Sequence, residues 1–236
     1  MVSIIGIAAT FPLIVIFGLC AFLTLRSHLK NPHPSKIFFT LAFLSFMGTY
    51  ICWASRILIL PQYITEDKIY LLYPFWAVSY LLAGTSIVML DFATFRLMRE
   101  TLTKLSKIII SIVIISYLIA ILLLIVGFEV ELIIFSDVSD LTIKNIYVYI
   151  YFTCTLLLYL SIPNAFNLNF LRTSVSKSDF AYKRVRIIEL GIFLFSIGVI
   201  FDGLRFSFFL ANFIGRIISA IGGLLMVKGF LMKKSD

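Results

Sequence analysis

Seven long apolar stretches, at residues 2–25, 37–61, 70–97, 107–127, 146–171, 187–210 and 212–231, fill almost the whole 236-residue chain. A helix needs about 20 mainly apolar residues to cross the hydrocarbon core of a bilayer, and each stretch supplies that length or more. Backbone N–H and C=O groups in lipid find no water, so such segments satisfy them internally as helices. Charged residues make up only 14% of the chain, against roughly 25% in soluble domains. The expectation is an all-α polytopic membrane protein: one seven-transmembrane-helix bundle over residues 1–236, with no room for a separate soluble domain. Lipid is its first partner.

Orientation follows from where the basic residues fall, because cytoplasmic loops are enriched in Lys and Arg. Arg26, Lys30 and Lys36 flank the first loop, Arg96, Arg99, Lys104 and Lys107 the third, and Arg172, Lys177, Lys183, Arg184 and Arg186 the fifth. Lys228, Lys233 and Lys234 close the chain. The alternate loops hold Glu66, Asp67 and Lys68, then Glu129, Glu131, Asp137, Asp140 and Lys144. Every odd loop points to the cytoplasm, which places the N-terminus outside and the C-terminus inside a cell membrane. The first stretch lacks a basic n-region and is too long for a signal-peptide core, so it reads as a retained helix. The last two stretches almost touch near residues 210–212, and one long re-entrant segment is the alternative there.

The net charge of +8 needs no nucleic-acid partner, since basic loops are the ordinary topogenic signal and sit well against anionic headgroups. The run Lys183-Arg184-Val185-Arg186 offers a docking point for a cytoplasmic partner at the loop between the fifth and sixth helices. Cys20, Cys52 and Cys154 all lie inside apolar stretches, so no extracellular disulfide is expected. His28 and His33 share one loop without nearby Cys or carboxylates, which does not make a metal site. No nucleophile–base pair or metal constellation is visible, and neither catalysis nor a cofactor is expected.

Ionisable residues inside the stretches carry the most information. A charge at a helix centre costs at least about 2.5–3.5 kcal/mol on insertion scales, so it faces the bundle interior or water. Arg56, Asp202, Arg205 and Arg216 all fall in the outer half under the orientation above. Asp202 and Arg205 are three residues apart and can pair along a helix. Two readings compete. In one, Asp202 clamps the arginines and Arg216 snorkels to the interface; in the other, guanidinium groups line an outward pocket for a carboxylate or phosphate. Trp53 lies one turn from Arg56, and Tyr70, Tyr73, Trp76 and Tyr80 form a helical stripe, of which Trp76 and Tyr80 are deep enough to line that cavity.

Other features are structural in the first instance. Pro163-Asn164 predicts a kink in the fifth helix, either a hinge or a satisfied packing defect. Asp91 and Glu189 lie toward the inner side, Asp91 at a different depth from Asp202, which excludes a shared-proton dyad. Gly215, Ser219 and Gly223, with Gly222 beside the last, form a small-residue face for close helix packing. Phe128-Glu129-Val130-Glu131-Leu132 alternates and suggests a strand or hairpin lid. Phe43-Leu44-Ser45-Phe46-Met47-Gly48 and Phe193-Leu194-Phe195-Ser196-Ile197-Gly198 echo one another, as a three-plus-one-plus-three repeat would require.

The stretch Gly215-Arg216-Ile217-Ile218-Ser219-Ala220-Ile221-Gly222-Gly223-Leu224-Leu225 resembles the last helix of small uncharacterised archaeal seven-helix membrane proteins; that resemblance implies no activity. Retinal-binding opsins need a lysine midway along the last helix, where this chain has Ser219-Ala220-Ile221-Gly222-Gly223. The small carriers with Pro-Gln motifs are matched only at Pro61-Gln62, without the second copy. The expectation is therefore a receptor-like sensor of a small anionic ligand, with Arg56, Asp202, Arg205, Arg216, Trp53, Trp76 and Tyr80 as the site. The alternative is a small-solute transporter with Pro163 and Asn164 as its hinge.

Overall fold

A computed structural model describes residues 2–60, 64–97, 104–125, 130–135, 138–148, 150, 151, 154, 165, 179–203 and 209–232. The chain forms α1 (Val2–Lys30), α2 (Pro34–Ile59), a 3-10 turn (Glu66–Lys68), α3 (Ile69–Leu97), α4 (Lys104–Ile125), β1 (Val130–Phe135), β2 (Val138–Ile143), α5 (Phe180–Gly203) and α6 (Phe209–Leu231). Four segments, Thr10–Lys30, Pro34–Ile59, Glu66–Arg96 and Phe213–Leu231, are long and apolar enough to cross a membrane, and Lys107–Leu123 is a shorter apolar helix. Most of the fifth stretch, with Pro163 and Asn164, lies outside the described residues.

Helix ends differ from the sequence expectation in one consistent way. α1 runs on to Lys30, α2 begins at Pro34 and α5 begins at Phe180. Arg26, Lys30, Lys36, Lys183, Arg184 and Arg186 are therefore helical, not loop residues. Hydropathy marks where lipid-like composition stops, whereas backbone hydrogen bonds continue for another turn or two. Pro34 fits the first turn of α2, where its missing N–H costs nothing. The Ser35 backbone N–H donates to His33 Nδ1 at 3.3 Å, and His33 N–H reaches His28 Nδ1 at 3.4 Å. His28 in the last turn of α1 and His33 at the N-cap of α2 thus shape the α1–α2 turn, and only His33 is a loop residue.

Phenylalanines make the main core. Phe17 of α1 is fully buried among Phe46 (5.8 Å between centroids), Tyr50 (5.9 Å) and Phe195 (5.7 Å, edge-on). Phe46 meets Phe195 at 4.4 Å and Phe39 meets Phe230 at 4.8 Å, tying α2 to α5 and α6. Each such pair contributes about 0.5–1.5 kcal/mol beyond the area it buries. The outer surface is apolar as well: Phe11, Val15, Leu19, Phe22 and Leu29 form an exposed ridge along α1, and Ile108, Ile112, Ile115 and Leu122 another along α4. A water-soluble monomer rarely shows apolar patches of this extent, whereas lipid covers them at no cost.

The two halves of the echo do not share an environment. Phe43 is 1% exposed but its counterpart Phe193 is 56% exposed, and the rings that meet are Phe46 and Phe195.

α5 and α6 pack antiparallel at backbone distance, so they are two helices and not one continuous one. A Cβ on Gly191 would lie 2.7 Å from the Gly222 carbonyl oxygen, and one on Gly222 would lie 2.5 Å from the Phe195 nitrogen. Gly198 is closed off in the same way by the Gly215 carbonyl and Ser219. The contact residues Gly191, Phe195 and Gly198 on α5, and Gly215, Ser219, Gly222 and Met226 on α6, step by three and four. That is the seam spacing of two helices crossing at a shallow angle. The small-residue face read from sequence needs one correction: Gly222, not Gly223, lines this seam. Gly223 turns toward Phe17 and Cys20 of α1, because one residue is 100° around a helix.

β1 and β2 pair antiparallel from Val130↔Ile143 to Phe135↔Val138, lengthening the strand anticipated around residues 128–132. Leu141 and Ile143 pack with Ile64, Leu72, Trp76, Ala77 and Val148 into a second, smaller cluster at the start of α3. This defines a hairpin end of the bundle. The opposite end holds the C-termini of α1 and α6 and the N-termini of α2 and α5.

Candidate ligand site

Arg216 lies about two turns into α6 and reaches α1 and α2 together. Its Nη1 donates to Thr10 Oγ1 at 2.9 Å. The guanidinium carbon stands 4.6 Å from the Trp53 ring centroid and 5.9 Å from that of Tyr50. Trp53 and Tyr50 are three apart on α2 and therefore share a face. Tyr50 continues the stack on Phe17, where the planes are within 2° of parallel. A cation over desolvated aromatic faces gains about 2 kcal/mol, against less than 1 at exposed sites. Arg216 is half-buried, between those limits.

The predicted residues divide into groups. Trp53 and Arg216 meet directly. Arg56, one turn beyond Trp53, is only 3% exposed, so its charge is held inside the protein and does not snorkel. Trp76 and Tyr80 belong to the hairpin cluster: Tyr73, Trp76 and Tyr80 stack along α3, with Trp76–Tyr80 centroids 4.5 Å apart. Trp76 is 4% exposed and its Nε1 meets no hydrogen-bond partner among the described residues. Asp202 occupies the last turn of α5, one turn beyond Gly198. Its side chain, and Arg205 altogether, lie outside the described residues, as do Pro163 and Asn164.

Tyr50 and Thr10 are the site residues that sequence reading missed. Thr10 is a hydroxyl in an apolar run and Tyr50 reads as one of many aromatics; only the approach of α6 gives either a role. The signal available was spacing, since Tyr50, Trp53 and Arg56 recur every three residues on α2.

Two carboxylates sit deep in the fold. Asp91 on α3 is 2% exposed, with Oδ2 lacking a hydrogen-bond partner among the described residues, and Glu189 on α5 is 3% exposed. Among the described residues no cluster of His, Cys, Asp and Glu has the grouping of a metal site. A shallow groove of about 440 Å³ runs along the last turns of α6, lined by Leu224, Val227, Lys228, Leu231 and Met232. It is far along α6 from Arg216.

The fold and this geometry define a helical protein with four helices of membrane-spanning length and a cation–aromatic centre near the hairpin end. No protein family matches the chain, and no curated protein or solved structure matches it either.

Proposed function

We propose that the protein is a multi-pass cell-membrane sensor with seven spans, its N-terminus outside and its C-terminus cytoplasmic. It takes a small anionic ligand at the hairpin end. The observation that carries this reading is the convergence of Thr10 from α1 and of Tyr50 and Trp53 from α2 on the guanidinium of Arg216 from α6. Aromatic walls orient a guanidinium, and its planar donor fork matches a carboxylate or phosphate. Arg56, one turn away on α2, places a second, deeply buried guanidinium beside the same region.

Signal transfer follows from the α5–α6 seam. Close approach of the two backbones at Gly191, Gly198 and Gly222 couples the helices, so a shift of α6 at Arg216 moves α5 with it. The cytoplasmic run Lys183-Arg184-Val185-Arg186 at the start of α5 is then where a partner reads the change.

Three measurements test this. In a variant with its native cysteines replaced, a cysteine at Ser139 in the hairpin is expected to react with an impermeant maleimide from outside, and one at Lys183 only after permeabilisation. The reverse pattern overturns the orientation. Purified protein is then screened by thermal shift against acetate, benzoate and inorganic phosphate. A stabilising anion whose effect is lost in Arg216→Gln supports the site; an undiminished shift in that variant removes it. Vectorial uptake of the same anion into proteoliposomes replaces the sensor by a carrier.

A further inference from the structure

The opposite end of the bundle holds two cations in an unusual setting. Lys36, in the first turn of α2, is only 5% exposed. Its Nζ donates to the Ser27 carbonyl at 3.1 Å and the Asn31 carbonyl at 2.7 Å, closing the C-terminus of α1. Arg184, near the start of α5, does the same for α6: Nε donates to the Gly229 carbonyl at 3.0 Å and Nη2 to the Phe230 carbonyl at 3.5 Å. The Phe39 ring, one turn from Lys36 on α2, meets the Phe230 ring at 4.8 Å, which brings the start of α2 beside the carbonyl that Arg184 closes. Among the described residues, no carboxylate pairs with either.

Charge at this point does not balance. A helix C-terminus carries roughly half a negative charge, so two of them offset about one of the two cations. Roughly one positive charge remains, partly withdrawn from water, where an unpaired charge is costly. That excess makes this end of the bundle attractive to an anionic group.

Position indicates which anion. Lys36 stands at the start of the membrane-length helix Pro34–Ile59, and Gly229 near the end of the membrane-length helix Phe213–Leu231. Side chains at the limits of two such helices lie at headgroup depth. We propose that Lys36 and Arg184 together hold the phosphate of an anionic phospholipid, bridging the α1–α2 turn to the α5–α6 pair. This site is separate from the Arg216 centre and does not depend on the sensor reading.

The test counts and ranks bound lipid. Native mass spectrometry of the intact protein in detergent, titrated with phosphatidylglycerol or phosphatidylcholine, is expected to show one phosphatidylglycerol retained preferentially. Lys36→Gln and Arg184→Gln, which keep a donor for the carbonyls but remove the charge, should each lose about fivefold in that preference. Arg184→Lys should keep most of it, as should Lys183→Gln, which alters an exposed cation at the same end. Equal retention of both lipids by the unaltered protein overturns the proposal even if every variant misfolds. So does an undiminished preference in both Gln variants. Inorganic phosphate that displaces the lipid at equal concentration assigns the site to free phosphate and overturns the lipid assignment.

Discussion

The two ends of this bundle bury positive charge in opposite ways. At the hairpin end, Arg216 lies against the π-faces of Trp53 and Tyr50 and donates to the Thr10 hydroxyl. At the other end, Lys36 and Arg184 are held by main-chain carbonyls of helix termini. Carbonyls at a helix end are fixed by the helix and lack other partners, so a cation there is held in one place and turns only its remaining N–H groups outward. Aromatic faces attract a cation without fixing the directions of its N–H donors. The difference teaches that a charged residue in an apolar stretch is not by itself a functional signal; what holds it decides.

Breaking the frame that positions both ends should have the largest effect. Gly198→Ile puts a branched side chain against the Gly215 carbonyl and Ser219, where no flexible neighbour can yield. A loss of about 3 kcal/mol, the upper end of overpacking costs, is expected. A fall in thermal midpoint accompanied by altered Trp53 fluorescence would tie the seam to the Arg216 centre. An unchanged midpoint would mean the helices separate freely.

Next comes the scaffold cation. Lys36→Met strips two carbonyls of a charged donor and should cost about 2 kcal/mol, while leaving any anion response at the hairpin end intact. If that response disappears as well, the two ends are not separable in the way the comparison requires. Trp53→Ala removes the face under Arg216 and should cost about 1–2 kcal/mol, with complete loss of anion-induced stabilisation. Because the chain has two tryptophans, Trp76→Phe leaves Trp53 as the sole indole emitter, and its emission then reports directly on Arg216. The smallest effect is expected for Thr10→Val, about 0.6 kcal/mol, the average for a side-chain hydrogen bond between membrane helices. A loss several times larger would show that Thr10, not the aromatic pair, positions the guanidinium.

Much of the fold was legible because lipid imposes a one-dimensional rule. Any run of about 20 apolar residues must be helical, and α1, α2, α3, α4, α5 and α6 all fall on stretches read from hydropathy. Helix ends were less legible, since hydropathy says nothing of the polar turn over which hydrogen bonding continues; Lys36 and Arg184 looked like loop charges for that reason. The site was legible only in part. Trp53 and Arg216 were named and do meet, but Trp76 and Tyr80, chosen by the same depth argument, face the hairpin. Depth along a helix can be counted from residue numbers. The direction a residue faces across the bundle depends on which helix packs beside it.

Composition and spacing by themselves determined the helical character, the membrane-length segments and the asymmetry of charge between the two ends, because these are local sums along the chain. Tertiary structure alone decided that Gly222 faces α5 while Gly223 faces α1, that Lys36 and Arg184 close helix termini, and that Arg216 reaches Thr10, 206 residues away in sequence. Such pairings depend on the rotation and register of helices, which change by 100° with each residue and leave no trace in a hydropathy count.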